Sequence, residues 1–238
     1  MTKKIRLNKF FSEAGICSRR SADEHISNGE VTINGAKASV GALVDPITDT
    51  ILYKGKEVKR PEEKIYLALY KPVGYVSTTK SQNNEKNILS LIKSKERVYP
   101  IGRLDKDSEG LIILTNDGEL TKKLTHPSFQ HQKEYLVYGE DETDSLTVDK
   151  LKNKFERGMK IDGKIMKADR VFNIDISGRR IRFKIILHTG LKRQIRRMSA
   201  IIRVRITRII RIRLANLTLD ALGLKPGESK EILKTDIL

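Results

Sequence analysis

Short apolar or alternating runs, each bounded by turn residues, restrict the fold of this chain more than any other feature. Six of them follow residue 64: IYLALY (65–70), LIILT (111–115), EYLVYG (134–139), ADRVFNID (168–175), RIRFKIIL (180–187) and VRITRIIRIRL (204–214). Runs of this length and composition are typical of β-strands. Helical spacing of apolar residues interrupts them at 117–126, 144–158 and 190–201. The sequence therefore predicts an α+β fold with a mixed, largely antiparallel sheet flanked by helices.

A smaller module precedes these strands. Apolar residues recur at helical spacing before Gly15, which predicts a first helix that ends there: Leu7, Phe10, Phe11 and Ala14. Ser18 or Ser21 can cap a second helix. Asn34-Gly35 is the pair that a two-residue type I′ hairpin prefers, because both residues need a positive φ. About 58 residues thus predict two helices and a small hairpin sheet.

A charged segment without apolar periodicity, KGKEVKRPEEK at 54–64, separates the two parts. Its composition and its proline are typical of a linker. We therefore predict two domains, covering residues 1–60 and 61–238.

The charge of the chain indicates a polyanionic partner. Lys and Arg number 47 and Asp and Glu 30, a formal net charge of +17. The stretch 179–213 holds thirteen basic residues and no acidic one. Cys17 is the only cysteine, which excludes an intramolecular disulfide and a cysteine-rich zinc site. No apolar run approaches the roughly 20 residues of a membrane span. We expect a cytoplasmic protein with no membrane partner and no metal.

The segment GRLDKDSEGLIILTNDG (102–118) sets three acidic residues in front of an apolar run. A calcium loop starting at Asp105 would need a glutamate at its twelfth position, where the chain has Asn116. A site for magnesium and a nucleotide would need a phosphate-binding glycine motif, which the sequence lacks. Asp105 or Asp107 could instead hold a turn by bonding local backbone amides. On the segment alone, a turn residue and a reacting carboxylate remain open.

The N-terminal module resembles a known RNA-binding domain. RLNKFFSEAGICSRRSADEHISNGEVTINGAKA (6–38) is similar to the S4 domain, and the resemblance extends over most of residues 5–53. It implies that a basic face contacts RNA. The candidate residues are Arg6, Lys9, Arg19 and Arg20.

The second part resembles the pseudouridine synthases. The 102–118 segment carries the resemblance together with YKPVGYVSTT (70–79), KEYLV (133–137) and GLKRQIRRM (190–198). With an S4-like module in front, the chain resembles the RsuA/RluB/RluE/RluF family of ribosomal RNA pseudouridine synthases. That resemblance implies the pseudouridine synthase fold, isomerisation of a uridine in ribosomal RNA, and no cofactor. Nothing in the sequence demands more than a monomer, which is the state that we expect. The RNA substrate could be free, in an assembly intermediate or in a subunit.

The resemblance also assigns roles. It implies Asp105 as the catalytic aspartate, Tyr135 as the active-site tyrosine and Arg196 as the active-site arginine. Because a nearby guanidinium keeps a desolvated carboxylate ionised, we expect Arg196 to be the counter-ion of Asp105. Such an aspartate attacks C1′ or removes a proton from C2′, and a tyrosine ring can stack on uracil. Four basic residues are candidates for phosphate contacts around the flipped base: Lys71, Arg103, Arg193 and Arg197. GLKRQIRRM and GMKIDGK (158–164) favour a large-subunit target.

Alternation in the last basic stretch, RVRITRIIRIRLAN (203–216), predicts a strand with a core side and a basic side. The basic side would carry Arg203, Arg205, Arg211 and Arg213, while Arg208 breaks the pattern. Two other functions stay open at this point. One is a non-catalytic S4-type RNA-binding or ribosome-assembly factor. The other is a magnesium-dependent nucleotidyl enzyme.

Overall fold

The computed structural model describes residues 4–61, 63–79 and 85–238. The chain forms two compact units. The first runs up to Ile65 and also contains residues 94–98 and 116–118. The second contains Tyr66–Lys93, Tyr99–Thr115 and Glu119–Leu238.

Local sequence signals explain most of the first unit. Ser18 caps the helix α2, Arg19–Ser27, by accepting a hydrogen bond from the Ser21 amide at 3.2 Å. Asn34 and Gly35 have φ values of +50° and +82°, as the predicted hairpin requires. The elements are β1 Ile5–Arg6, α1 Leu7–Glu13, α2 Arg19–Ser27, β2 Val31–Ile33, β3 Ala36–Lys37, β4 Leu43–Val44, β5 Ile51–Tyr53 and β6 Lys56–Glu57. Strand β1 pairs with β4, and the other strands form a sheet in the order β3-β2-β5-β6.

A nine-stranded sheet forms the centre of the second unit. Its order is β13-β14-β10-β15-β9-β7-β17, with β16 beside β15 and β8 beside β9. Strands β9 and β15 are parallel, and the other described pairs of this sheet are antiparallel. The predicted mixed, largely antiparallel sheet is therefore confirmed. The strands are β7 Tyr66–Lys71, β8 Tyr99–Pro100, β9 Glu109–Thr115, β10 Lys133–Asp141, β13 Arg170–Ser177, β14 Arg180–Leu187, β15 Val204–Leu214, β16 Leu217–Thr218 and β17 Ser229–Glu231; β11 Met159–Ile161 and β12 Lys164–Met166 form a separate hairpin.

Helices cover parts of both sheet faces. On one face, Phe155 and Met198 from two helices pack with Phe183 and Ile185 of β14. On the other face, Leu120 belongs to a second buried cluster with strand residues such as Leu111. These helices are α3 Gly118–Thr125, α4 Val148–Arg157, α5 Gln194–Ile201, α6 Leu219–Leu222 and α7 Lys234–Ile237, with 3₁₀ turns at Ile88–Leu91 and Pro127–Phe129. No helix in the described ranges has the length and apolarity needed to cross a bilayer.

Strand β15 differs from its predicted alternation. Arg211 is only 2% exposed, so its predicted place on an exposed basic side is wrong. The pairing of β15 with β10 shifts register at two points, between Glu134 and Tyr135 and between Tyr138 and Gly139. Each shift moves the following side chains to the opposite face, which a uniform period of two cannot anticipate.

Candidate active site

The loop in front of β9 is held through its backbone. The Ser77 hydroxyl donates to the Leu104 carbonyl at 2.9 Å and accepts from the Leu104 amide at 3.1 Å. The Gly74 amide donates to the Lys106 carbonyl at 2.8 Å. Ser77 and Gly74 both belong to the YKPVGYVSTT segment, whose contribution is therefore to support this loop.

Lys71 lies beneath the same loop and is fully buried. Its ammonium donates to the carbonyl of Ser108 at 2.6 Å and to that of Pro72 at 3.0 Å. Burial lowers the pKa of Lys71 to about 8, although the charges of Asp107 and Asp105 act in the opposite direction. A buried ammonium cannot reach a phosphate in solvent, so the prediction that Lys71 contacts RNA is wrong. Lys71 instead fixes the end of the loop.

Asp107 joins the loop to α5. Its carboxylate accepts two hydrogen bonds from Arg193, at 3.1 and 3.0 Å, and its Oδ2 lies 3.2 Å from Nε of Arg196. The Asp107 carbonyl also accepts from Nη2 of Arg196 at 2.9 Å. Partial burial alone would raise the pKa of Asp107, but the two arginines outweigh it, and the net pKa lies below the usual value. Asp107 is thus an ionised anchor of the loop.

The sequence predicted that Arg196 pairs with Asp105, but in the structure Arg196 pairs with Asp107 instead. Its guanidinium contacts Asp107 and donates to the Ile206 carbonyl at 3.2 Å. The charge of Asp105 raises the pKa of Arg196 less than the charge of Asp107 does. The sequence could not separate the two carboxylates, because they lie two residues apart in one turn. Geometry assigns the arginines to the second of them.

The Asp105 side chain has no hydrogen bond or ion pair with any residue that the structure describes. Its carbonyl closes a turn by accepting from the Ser108 amide at 3.0 Å, but its carboxylate takes no part in that turn. A residue whose side chain only shapes a turn would bond nearby amides. The loop backbone is fixed by other groups, and it presents the Asp105 carboxylate unpaired.

Tyr135 lies on β10 between Ile185 of β14 and Arg211 of β15. The register shift next to Tyr135 reorients this part of the strand. The ring packs partly against the core that α4 and α5 cover. Within the described ranges its hydroxyl has no hydrogen-bond partner. One edge of Tyr135 is thus anchored in the core while the side chain remains accessible.

One cavity of about 340 Å³ brings these groups together. Asp105, Tyr135 and Arg196 all line it, as do Arg103 and Arg193. Its apolar wall includes Leu187, Leu191 and Ile209, and Lys192 adds a further cation. Asp105 is the single carboxylate among the lining residues. A cavity at the small end of the ~300–1,000 Å³ range, with one acid and several cations, suits one flat polar ring attached to an anionic backbone.

Residues 65–200 match the family model for RNA pseudouridylate synthase. The chain belongs to the RNA pseudouridine synthase family. It is 39% identical to the dual-specificity RNA pseudouridine synthase RluF of Escherichia coli K12 over 98% of this chain and 77% of the relative. It is 34% identical to the ribosomal large subunit pseudouridine synthase B of Bacillus subtilis over 98% and 93% of the two chains. The predicted family and the predicted enzyme class are thereby confirmed.

A solved pseudouridylate synthase confirms the fold of this RNA pseudouridine synthase. The two chains align over 98% of each with a TM-score of 0.65 and 25% identity. A subunit of an H/ACA ribonucleoprotein bound to a substrate RNA containing 2′-deoxyuridine aligns over 66% of this chain, with a TM-score of 0.52. At 19% identity, that second likeness shows the fold alone.

The remaining predicted RNA contacts of the synthase lie outside the cavity lining. Arg197 forms an ion pair with Asp162 in the turn between β11 and β12. Four further candidates belong to the first unit: Arg6, Arg19 and Arg20 are exposed, and Lys9 lies 3.4 Å from Glu13. Their contact with RNA stays a prediction.

The described residues provide no set of ligands for the calcium site or for the magnesium site that the sequence analysis considered. Within the described ranges, no three His, Cys, Asp or Glu side chains converge as metal ligands. Asp107, which both hypotheses would use, is engaged by Arg193 and Arg196. The residues after the loop form β9, whereas a calcium loop of this type continues into a helix.

Proposed function

We propose that this protein converts a uridine of ribosomal RNA, with a large-subunit target favoured, to pseudouridine. One observation carries the proposal: Asp105, whose carboxylate has no partner among the described residues, shares a cavity with Tyr135 and with four cations. The two relatives support the RNA class, since one is named as a large-subunit enzyme and the other as an RNA pseudouridine synthase.

The reaction rearranges bonds without changing the atoms present. The bond between N1 of uracil and C1′ breaks, the base rotates, and C5 bonds to C1′. The proton that C5 loses is balanced by the one that N1 gains. Asp105 begins the reaction by attacking C1′ or by removing the C2′ proton, and both routes need an ionised, unblocked carboxylate. The Asp105 carboxylate, which no described residue bonds, meets that need directly.

Arg196 and Tyr135 complete the proposed catalytic group. Arg196 stays charged when partly buried, supplies positive potential in the cavity, and holds the loop through Asp107. Tyr135 offers a ring on which a flipped uracil can stack, and a hydroxyl for the proton that leaves C5. We assign Tyr135 first to stacking, because its ring is fixed by the core.

RNA binding is distributed over several cationic residues in this proposal. Arg103 and Arg193 line the cavity and are placed to contact phosphates beside the flipped nucleotide. Residues 1–60 serve as an S4-like RNA-binding domain, and 61–238 as the catalytic domain. Arg6, Lys9, Arg19 and Arg20 contribute in the first domain, and Arg197 adds to the second.

The proposed reaction includes no redox or phosphoryl-transfer step, so it needs no cofactor. We propose that the enzyme acts in the cytoplasm as a monomer. Its substrate is ribosomal RNA, either free, in an assembly intermediate or in a subunit.

Incubation of the purified protein with transcribed ribosomal RNA tests the function. We expect pseudouridine to appear in nucleoside digests of the large-subunit transcript, in the presence of a chelator as well as without one. Loss of activity on chelation would favour the magnesium-dependent enzyme. RNA binding with no pseudouridine on free RNA, assembly intermediates or subunits would favour the non-catalytic factor and contradict the proposal.

A further inference from the structure

The sheet face opposite the cavity carries an uncovered group of cations on β13 and β14. Residues of β14 alternate between the two faces: Phe183 and Ile185 are buried with α4 and α5, whereas Arg180 and Arg182 are exposed. We call the outward-facing residues here the open face: Arg170 and Phe172 of β13, and Arg180, Arg182 and Lys184 of β14.

An aromatic ring lies among these cations. The Phe172 ring centroid is 4.9 Å from the Arg170 guanidinium and 5.9 Å from the Lys184 ammonium. Phe172 is directly opposite Lys184 in the strand register. The ring is half-buried, and the guanidinium beside it is exposed. Aromatic rings and guanidinium planes are the surfaces on which unpaired RNA bases stack.

Acidic residues do not neutralise the open face. Among the described residues, Arg170, Arg180 and Arg182 have no ion pair. Glu134, which pairs with Lys184 at 3.3 Å, is also bound by Arg213 at 3.0 Å. The exposed Asp175, opposite Arg182 in the register, is the one acidic residue within β13. The open face thus keeps an excess of positive charge.

We propose that the open face binds an unpaired strand of RNA. One base stacks on the Phe172–Arg170 pair, while Arg180 and Arg182 contact the phosphates that follow. This site goes beyond the proposed function, which places RNA at the cavity on the other face of the sheet, at Arg197 and at the first domain. The core of a protein–protein interface is depleted of charged residues, whereas cations surround the Phe172 ring.

Binding of a labelled single-stranded 15-nucleotide RNA, measured by fluorescence anisotropy, tests this inference. The triple variant R170A/F172A/R182A removes two charges and the ring. We expect it to bind at least tenfold more weakly, with a salt dependence that is shallower by about 0.7 in log–log slope, the value for the one phosphate contact that Arg182 makes. The matched variant K152A/K154A removes two exposed charges from α4, and we expect a change of no more than about twofold.

Position and folding need their own measurements. With 4-thiouridine in the RNA, we expect photo-crosslinks in peptides that span 170–186. The pair R180A/R182A changes only exposed side chains, so it serves if the triple variant fails to fold. Unchanged affinity in both variants, or an equal loss in K152A/K154A, would overturn the inference. Pseudouridine formation at saturating RNA should persist in R180A/R182A, so loss of this site and loss of the proposed activity are distinguishable.

Discussion

The two faces of the central sheet use the same kinds of side chain in opposite ways. On the cavity face, Lys71 and Arg211 are buried and donate to backbone carbonyls, those of Ser108 and Leu111. On the open face, Arg180 and Arg182 are exposed. Buried cations hold the backbone of the site, and exposed cations remain available to a polyanion. Burial, rather than residue type, separates structure from binding.

The same contrast separates the two carboxylates of the loop. Asp107 is paired with two arginines and anchors the loop to α5. Asp105 faces the cavity, and its carboxylate is unpaired among the described residues. A rigid backbone with one free carboxylate is the arrangement that a reacting group requires.

The largest expected effect is on the rate of the reaction, which should depend on the cavity face, whereas the affinity for RNA should depend on the open face. Asp105→Asn should lower the single-turnover rate at saturating RNA by about 10²–10⁴-fold, because the reacting charge is lost, and leave the Kd nearly unchanged. R180A/R182A should weaken binding and leave the saturated rate intact. A variant that changes the saturated rate and the Kd to the same extent would show that the two faces do not have separate roles.

Asp107→Asn should lower the same rate by about 10- to 100-fold. The substitution removes the charge that faces Arg193 and Arg196, so the loop and Asp105 lose their fixed position. Asp162→Asn is the matched control, since it removes the exposed partner of Arg197 on the same helix. Equal rates for the two variants would show that Asp107 has no positioning role.

Lys71→Met should change how stability depends on pH. The pKa of Lys71 is about 8 in the folded protein and 10.5 as the ordinary value, so the unfolded state binds more protons between these limits. The unfolding free energy of the parent should therefore rise by up to roughly 3 kcal/mol from pH 8 to 10.5, relative to Lys71→Met. Urea titrations against pH measure the difference. Lys106→Met, an exposed lysine, should track the parent.

The smallest expected effect is on the salt dependence of RNA binding. Arg182→Gln should reduce the slope of log affinity against log salt by about 0.7, the value for one phosphate contact on a single strand. Lys71→Met should leave that slope unchanged, since its charge is buried. A reduced slope in Lys71→Met would remove the distinction between buried and exposed cations.

Local signals predicted the elements well, because each depends on a few neighbouring residues. Ser18 caps α2, and the hairpin turns at Asn34-Gly35. In contrast, nothing in SKE at 229–231 predicted β17, whose residues are all exposed and which is defined by its pairing with β7. The hairpin of β11 and β12 was missed for the same reason, since its pairing and not its pattern defines it.

The site residues likewise include some that the sequence predicted and others that depend on tertiary packing. The resemblance predicted that Asp105, Tyr135 and Arg196 act together, and the structure places all three on one cavity. It did not predict that Lys71 is buried or that Asp107 forms the ion pairs with the arginines of α5. Both features depend on how the 70–79 segment and α5 pack on the loop. An apolar strand directly before Lys71 was the one signal in the sequence that pointed to burial.

Pseudouridine mapping of ribosomal RNA tests the central claim, that Asp105 reacts while the rest of the loop positions it. RNA would be taken from cells that carry the intact protein, a deletion, Asp105→Asn or Asp107→Asn, treated with carbodiimide and read by reverse transcription. We expect one or more specific stops with the intact protein, weaker ones with Asp107→Asn, and none in the deletion or Asp105→Asn. A full set of stops with Asp105→Asn would contradict the claim and leave Asp105 as a turn residue.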